Sequence, residues 1–261
     1  MAAEPQKISS LPGWRHLALK SVGSTNVVAL EQAASGGRGQ IWVTAEEQLQ
    51  GKARRGREWV SRPGNLYASL LLIDPAEPDR LATLPLVVSL ALHKAMLEVA
   101  PQFSDSLAIK WPNDILLYDK KVSGILLEAT KLKDGRLAVV IGCGINCQHF
   151  PDNPLYPATS FQAQGFKLEP EVLFAALAQT IATELRIWSQ GAGFSIVRKE
   201  WLERSKGLGE PIIVRFPDRE IAGTFVDIDK DGFLMLQSEN GVVQPISAAD
   251  IFFAQTGEFG A

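Results

Sequence analysis

Hydrophobic and polar positions along the first two hundred residues predict a mixture of strands and helices. Alternating or continuous apolar runs rich in β-branched residues predict seven strands, and apolar positions at helical spacing predict four helices. The predicted strands are Trp14–Lys20, Ile41–Ala45, Leu66–Ile73, Leu107–Lys110, Ile115–Tyr118, Lys121–Thr130 and Leu137–Ile145. The predicted helices are Val27–Ala34, Pro85–Val99, Pro170–Ser189 and Phe194–Arg204.

Residues that commonly cap helices or form turns support several of these boundaries. Ser24, Thr25 and Asn26 are residue types that cap helices, and they stand directly before the first predicted helix. Gly36 and Gly37 follow that helix and end it. An Asp-Gly pair between the last two predicted strands of this region indicates a tight hairpin.

The pattern changes near Lys206, beyond which only short strands are predicted. Four of them, separated by turn residues, occupy about fifty residues, which indicates a small β-barrel. We therefore predict two domains, residues 1–205 and residues 206–261. The predicted strands of the second domain are Pro211–Phe216, Glu220–Asp227, Phe233–Gln237 and Gly241–Ile246.

Composition and charge narrow the class of protein. The 261 residues are 46% hydrophobic and 21% charged, as in an ordinary globular protein. The net charge is −3, of which residues 206–261 carry −5, with four Lys/Arg and nine Asp/Glu, so residues 1–205 carry +2. This balance argues against a globally basic nucleic-acid binder.

Targeting signals and disulfides are not expected from this sequence. The longest apolar stretch, around Leu81–Leu92, is shorter than the ~18 residues that a membrane span needs. The first fifteen residues lack the apolar core of a secretory signal. Cys143 and Cys147 are best interpreted as small buried hydrophobes rather than a disulfide framework. We expect a cytoplasmic protein with no membrane partner.

The loop Gly51–Trp59 is the most unusual segment of the chain. It contains four cations and no acid between Gly51 and Arg57, and an indole follows at Trp59. Guanidinium groups match phosphate oxygens, and glycine lets a backbone approach a ligand closely. The loop therefore indicates an anion site, although a solvated basic turn stays open. Ordering a loop costs about 1–2 kcal/mol per residue, so we expect Gln50–Gly56 to stay mobile until an anion binds.

Three further segments carry weaker signals. Lys110-Trp111-Pro112-Asn113-Asp114 combines a cation, an indole, an amide and a carboxylate between two strands, and it also reads as a tight turn. Lys121–Glu128 begins a strand with a lysine and contains Gly124, where a ligand could approach the backbone. Gly142–Asn146 ends an apolar strand in small residues. Each segment alone is equally compatible with a structural role.

Taken together and in this order, these segments resemble the catalytic domain of biotin protein ligases. The resemblance begins at Ser24-Thr25-Asn26, includes Gln48 and the loop, and covers most of residues 14–205. It implies a mixed sheet with flanking helices, similar to class II aminoacyl-tRNA synthetases, and an SH3-like C-terminal barrel. It also implies a ligase that forms biotinyl-5′-AMP from biotin and ATP and transfers the biotinyl group to a lysine of a biotin carboxyl carrier protein.

The same resemblance implies a role for each matching residue. Lys121, Arg54 and Asp114 are the expected catalytic residues, with Lys121 stabilising charge and Asp114 orienting or deprotonating the incoming amine. No fixed metal site is expected, because Mg²⁺ would enter with ATP near Asp114. Biotin is expected to contact Ser24, Thr25, Asn26, Gln48, Gly51, Lys52, Ala53, Arg54, Lys121 and Gly124. ATP or the adenylate is expected to contact Arg54, Arg57, Trp59, Asn113, Asp114, Lys121 and Asn146.

The sequence departs from the family pattern in one segment, and two other functions stay open. Lys52-Ala53 stands where the family usually has Arg-Gly, so a charge is kept but a planar donor fork is lost. A lipoate or octanoate ligase or transferase on a similar fold is the nearest alternative, and a nucleic-acid-binding module is the alternative from another class. The segment before the first strand is too short for a DNA-binding domain, so no DNA partner is expected. A homodimer stays open.

Overall fold

The computed structural model describes residues 4–253 except 38, 153, 155 and 248, and an eight-stranded mixed sheet forms its larger part. Its strands are β1 (Gln6–Lys7), β2 (Arg15–Val22), β3 (Ile41–Gln48), β4 (Leu66–Ile73), β5 (Leu107–Lys110), β6 (Asp114–Leu117), β7 (Lys120–Lys131) and β8 (Leu137–Ile145). They lie in the order β1-β2-β3-β4-β8-β7-β6-β5. β2 pairs with β3 in parallel, whereas the other neighbours are antiparallel.

Helices cover both faces of this sheet. They are α1 (Thr25–Ala34), α2 (Leu84–Val99), α3 (Pro170–Trp188) and α4 (Phe194–Leu202). Alternate residues of a strand face opposite sides, so β4 sends Leu71 to one core and Leu70 to the other. The smaller core contains Ala29 and Ala33 of α1, whose short side chains let that helix lie close to the sheet. The larger core contains the apolar residues of α2, α3 and α4.

The helical stretch Pro78–Val99 is long and apolar enough to span a membrane by length and composition alone. However, 67% of its most hydropathic window is buried inside the fold. Ser89 on this stretch accepts a hydrogen bond from Trp201 Nε1 at 2.9 Å, and α2 packs directly against α3. The stretch is therefore the central core helix of the larger unit.

A second, five-stranded antiparallel sheet follows α4. Its strands are β9 (Pro211–Arg215), β10 (Glu220–Ile228), β11 (Leu234–Gln237), β12 (Val243–Ile246) and β13 (Asp250–Phe253), in the order β12-β11-β10-β9-β13. The two sheets share one continuous core. Trp111 Nε1 donates to the carbonyl of Gly232 at 3.2 Å, and Arg198 pairs with Asp227, so specific polar contacts also join them.

The predicted fold class is confirmed: a mixed sheet lies between helices, and a small antiparallel β unit follows. Most element boundaries agree to within two residues, and two strands, β1 and β13, were not predicted. The start of α1 was wrong, since the helix begins at Thr25 rather than Val27. Ser24 occupies the N-cap position without a side-chain cap bond, and the backbone N–H of Thr25 donates to Gln48 Oε1 at 2.8 Å instead. The division at residues 205 and 206 stays a prediction.

Candidate active site

A pocket opens where the centre of the large sheet meets the second sheet. Its walls come from the start of α1, the end of β3 and the following loop, the β5–β6 turn, and the strands β7 and β8. The second sheet adds Asp250 and Ile251 from β13. Segments distant in sequence therefore meet in one cavity, and its two ends differ in chemistry.

One end contains a chain of mutually bonded polar side chains that are buried or half-buried, here called the polar chain. Asn26 Nδ2 donates to Glu128 Oε2 at 2.6 Å, and the Ser69 hydroxyl lies 2.6 Å from Asn26 Oδ1 and 2.7 Å from Thr25 Oγ1. Such a network holds each side chain in one orientation. Its members are Glu128, Asn26, Ser69, Thr25, Gln48 and Ser61.

The polar chain continues into the basic loop. Gln48 Oε1 accepts from the Thr25 hydroxyl at 2.9 Å, and its Nε2 donates to Ser61 Oγ at 3.0 Å. Ser61 in turn donates to the carbonyl of Trp59 at 2.8 Å. The base of the loop is thereby connected to the start of α1. A Cβ on Gly51 would lie 2.3 Å from the Trp59 carbonyl oxygen, so this close approach requires glycine there.

Trp59 covers the glycines at the middle of the pocket floor. Gly124 on β7 and Gly144 on β8 are paired across the sheet, and the indole lies on both. A Cβ on Gly144 would be 2.5 Å from Trp59 Cε2, and one on Gly124 would be 3.1 Å from Cζ3. The Lys121 ammonium lies 5.6 Å from the centroid of the same indole, within cation–π range. The glycine pair therefore provides the space for a flat ring.

The other end of the pocket is cationic. Arg54 donates from one guanidinium nitrogen to Asn113 Oδ1 at 2.8 Å and from the other to the carbonyl of Ala249 at 3.4 Å. Burial lowers the pKa of the Arg54 guanidinium, opposed by the charges of Asp250 and Asp114. Arg54 therefore links the basic loop both to the β5–β6 turn and to the second unit.

Asp250 is the main anion between the loop and the second sheet. Its Oδ2 accepts from Arg55 at 2.9 Å and from the Tyr156 hydroxyl at 3.3 Å, and its Oδ1 lies 3.9 Å from an Arg57 nitrogen. Arg55 has a φ of 59°, a left-handed conformation that is uncommon outside glycine. The carboxylate thus holds a strained turn that presents Arg54 and Arg57 to the pocket.

The β5–β6 turn carries a second carboxylate next to the floor. Trp111-Pro112 is a cis peptide within this turn, and Trp111 is buried. Asp114 Oδ1 forms an ion pair of 2.6 Å with Lys121 Nζ. The segment is a tight turn between β5 and β6, and its side chains line the pocket, while their contacts with a ligand stay predictions.

Both units of the chain match known protein families. Residues 18–146 match the Biotin/lipoate A/B protein ligase family, and residues 207–254 match the Biotin protein ligase C terminal domain. The chain is 40% identical over 242 residues to the biotin--[acetyl-CoA-carboxylase] ligase of Paracoccus denitrificans, covering 90% of this chain and 99% of that protein. This chain belongs to the biotin protein ligase family.

Further relatives agree with this membership. The bifunctional ligase/repressor BirA of Escherichia coli is 29% identical over 250 residues, which cover 94% of this chain and 76% of that protein. The solved biotin protein ligase of Aquifex aeolicus in complex with biotin and ATP matches with a TM-score of 0.78 at 27% identity, covering 92% of this chain and 99% of that one. The Leishmania major ligase in complex with biotinyl-5-AMP matches with a TM-score of 0.63 at 27% identity, covering 89% and 98%.

The structure brings most of the expected site residues of this family member together. The pocket is lined by Ser24, Thr25, Asn26, Gln48, Lys52, Ala53, Arg54, Arg57, Trp59, Asn113, Asp114, Lys121, Gly124 and Asn146. Gly51, the first residue of the loop, packs against the Trp59 carbonyl and does not line the pocket. Asn146 uses its amide nitrogen to donate to the carbonyl of Thr159 at 3.0 Å, so part of its role is to hold that loop. The ligand contacts of all these residues stay predictions.

The sequence did not point to several residues that line the pocket, Tyr156 and Asp250, or that hold its lining side chains, Ser69 and Glu128. Ser69 and Glu128 belong to predicted strands, and a serine in an otherwise apolar strand was the available signal. Tyr156 and Asp250 gave no local signal, because only folding brings them beside the loop. Cys143 and Cys147 are free and buried, and burial raises the pKa of each thiol to about 12, which confirms their interpretation as small hydrophobes.

The residues of the pocket fit Mg²⁺ only when the phosphates of a bound nucleotide supply further oxygen ligands. Among residues 4–253 that the structure describes, no three His, Cys, Asp or Glu side chains form a metal-binding group. Mg²⁺ is commonly held by one or two carboxylates together with substrate phosphates. Asp114 supplies one such carboxylate in the pocket, and an ion bound there would offset the negative charge of a triphosphate.

Proposed function

We propose that this chain attaches biotin to a lysine of a biotin carboxyl carrier protein through a biotinyl-5′-adenylate. One end of the pocket is proposed to bind biotin, and the other is proposed to bind the phosphates of ATP. The chain is a biotin ligase, and biotin and ATP are its substrates. The observation that supports this division of the pocket is that it is lined by hydrogen-bonding side chains at one end and by cationic side chains at the other.

The polar chain is proposed to bind the neutral bicyclic head of biotin. A ureido group offers both donors and acceptors, and it needs partners whose orientation is already fixed. Thr25, Asn26 and Gln48 are fixed by the hydrogen bonds of the polar chain. Gly142 supports this close packing, because a Cβ there would lie 2.5 Å from Asn26 Oδ1.

The cationic end is proposed to bind the phosphates and to stabilise the transition state of adenylate formation. A biotin carboxylate oxygen attacks the α-phosphorus, the bond to the bridging oxygen breaks, and pyrophosphate leaves with that electron pair. Lys121 lies between the two ends of the pocket, so its ammonium can neutralise charge on both the carboxylate and the α-phosphate. Arg54 and Arg57 add guanidinium donors on the loop side.

Asp114 is proposed to act in the second step. The carrier amine attacks the biotinyl carbonyl carbon, AMP leaves with the electrons of the C–O bond, and the proton of the amine passes to a base. Asp114 is the pocket carboxylate on the β5–β6 turn, and its pairing with Lys121 keeps it next to the reacting centre. Trp59 is proposed to stack against the adenine, since its indole already lies on the glycine pair.

Carrier proteins are the proposed partners, and the cytoplasm is the proposed compartment. The relative from Paracoccus denitrificans is named for acetyl-CoA carboxylase, which supports a carboxylase carrier. Two free thiols are compatible with a reducing compartment. We propose no role in DNA binding, because the net charges of −5 and +2 on residues 206–261 and 1–205 give little attraction for a polyanion.

The direct test is the mass of an apo carrier domain after incubation with the protein and Mg-ATP. Biotin should add one biotinyl group, and lipoate or octanoate in its place should add nothing. A mass gain with lipoate but not biotin would overturn the proposal in favour of the related acyl ligases. Lys120→Ala is the matched control for Lys121→Ala, since Lys120 is exposed on the same strand and does not line the pocket.

A further inference from the structure

We propose that Lys110 binds the leaving pyrophosphate during adenylate formation; this rests on the proposed function of the pocket. Lys110 is the last residue of β5 and lines the pocket at its edge beside the second sheet. Its role is distinct from that of Lys121, which neutralises the α-phosphate and the carboxylate.

The position of Lys110 in the sheet supports this role. The strands run in the order β8, β7, β6 and β5, and they carry Gly144, Lys121, Asp114 and Lys110 respectively. Neighbouring strands are about 4.8 Å apart, so β5 at Lys110 lies two strands, about 10 Å, from β7 on the side away from β8. The polar chain lies on the opposite side of the pocket from Lys110. Its members include residues of β4 and of the start of α1, and Glu128 of β7.

The direction of the reaction points to the same place. Displacement at phosphorus places the attacking and leaving oxygens roughly in line. The biotin carboxylate approaches from the polar chain, so pyrophosphate must depart in the opposite direction, toward β5 and the second sheet. Lys110 is the next pocket lysine met in that direction, beyond Lys121 and Asp114.

The surroundings of Lys110 leave its charge available. Lys110 is paired across the hairpin with Asp114, but that carboxylate already holds Lys121 at 2.6 Å. Among the described residues, no carboxylate lies within 4.0 Å of the Lys110 ammonium. Its neighbours are instead the rings of Tyr156, Phe252 and Phe253, with centroids at 5.5, 5.6 and 5.7 Å.

These rings hold the ammonium without neutralising it. An aromatic face attracts a cation, yet it contributes no negative charge for a phosphate to displace. Burial lowers the pKa of Lys110, and the charge of Asp114 opposes that shift. Tyr156 also lies 5.6 Å from the Arg57 guanidinium, so two cations flank one ring at this end. Such a pair suits a diphosphate.

The test separates the two half-reactions in Lys110→Met, which keeps much of the length of the side chain and removes its charge. Biotin-dependent exchange between ATP and labelled pyrophosphate should fall at least tenfold, and the inhibition constant of pyrophosphate should rise at least tenfold. Single-turnover transfer from purified biotinyl-5′-AMP to the carrier should stay within twofold of the wild type. Lys110→Arg should recover part of the pyrophosphate affinity.

Lys206→Met is the matched control. The Lys206 ammonium also lies near Phe253, at 5.9 Å, but it pairs with Asp119 at 2.9 Å and does not line the pocket. All three measurements should stay within twofold in this variant. Lys110→Gln is measured as well, so that a folding defect in the methionine variant does not decide the result.

Two outcomes would overturn the inference: unchanged inhibition by pyrophosphate in both neutral variants, or an equal loss in both half-reactions. The second outcome would indicate a general packing role for Lys110. Failure of the proposed function looks different, because the wild-type protein itself would then show no biotin-dependent exchange.

Discussion

The two ends of the pocket are held by different kinds of contact. The polar chain consists of buried and half-buried side chains from one unit, each with a hydrogen-bonding neighbour within 3.0 Å. The cationic end consists of loop side chains that contact Asn113 in the first unit and Ala249 and Asp250 in the second. The first end is built into the core of the sheet, whereas the second depends on contact between two units.

This difference suits the two substrates. A neutral head group contributes no charge, so its binding depends on donors and acceptors that are already oriented. A nucleotide brings several charges that are strong enough to draw mobile cations into place. The predicted mobility of Gln50–Gly56 concerns only the cationic end and stays a prediction. In this structure the Ala53 N–H donates to the Arg57 carbonyl at 2.7 Å, and Arg54 and Arg55 contact the second unit.

The largest expected effect comes from Lys121, which lies between the two ends. Lys121→Ala removes the ammonium beside the reacting atoms and leaves Asp114 without its partner at 2.6 Å. Loss of such an electrostatic contact costs on the order of 10²–10³ in rate, so adenylate formation should fall by that factor in a single-turnover assay. Lys120→Ala should match the wild type. A fall of less than threefold in Lys121→Ala would contradict the assigned role.

The glycine pair on the pocket floor gives the next effect. Gly144→Ala places a Cβ about 2.5 Å from the Trp59 indole, so the ring must leave the floor. We expect weaker binding of the adenylate by roughly tenfold or more, since stacking of a base on an aromatic side chain contributes about 1–3 kcal/mol. Competition with biotinyl-5′-AMP measures it. Gly241→Ala tests a glycine in a surface turn that has nothing within 4 Å, and it should leave adenylate affinity unchanged.

Hydrophobic periodicity predicted where the strands and helices lie because it is a local property, whereas their arrangement as a mixed sheet between helices was implied by the family resemblance. β7 and β8 were located to within one residue, and Lys121 and Asp114 were identified from short motifs. The error at α1 arose because Thr25 and Asn26 were interpreted as residues before the helix, whereas tertiary bonds to Gln48 and Glu128 draw them into its first turn. Those bonds span 23 and 102 residues, beyond the reach of a local pattern.

Glu128 provides a direct test of the rigid end. Glu128→Ala leaves the Asn26 amide without its acceptor, and an unsatisfied buried donor costs about 1–3 kcal/mol. The Kd of biotin should therefore rise about tenfold, with little change in the KM of ATP. Glu128→Gln keeps a carbonyl that can accept from Asn26, and it should bind biotin nearly as the wild type does. Equal biotin affinity in the alanine variant would show that the polar chain does not orient the head group.

Asp250 provides the corresponding test of the other end, with the smallest expected effect. Its contacts with Arg55 and Arg57 are partly exposed, and such pairs contribute about 0.2–1 kcal/mol each. Asp250→Asn should therefore raise the KM of ATP two- to fivefold and leave the Kd of biotin unchanged.

Asp218→Asn is the control for Asp250→Asn, since Asp218 pairs with the adjacent Arg219 on the exposed surface of the second sheet. A lower KM for ATP in Asp250→Asn would indicate that the carboxylate competes with phosphate for Arg55 and Arg57 instead of positioning them. A change in biotin affinity of similar size would indicate that the two ends are coupled through Ser61 and Trp59, the hydrogen-bonded link between the polar chain and the loop.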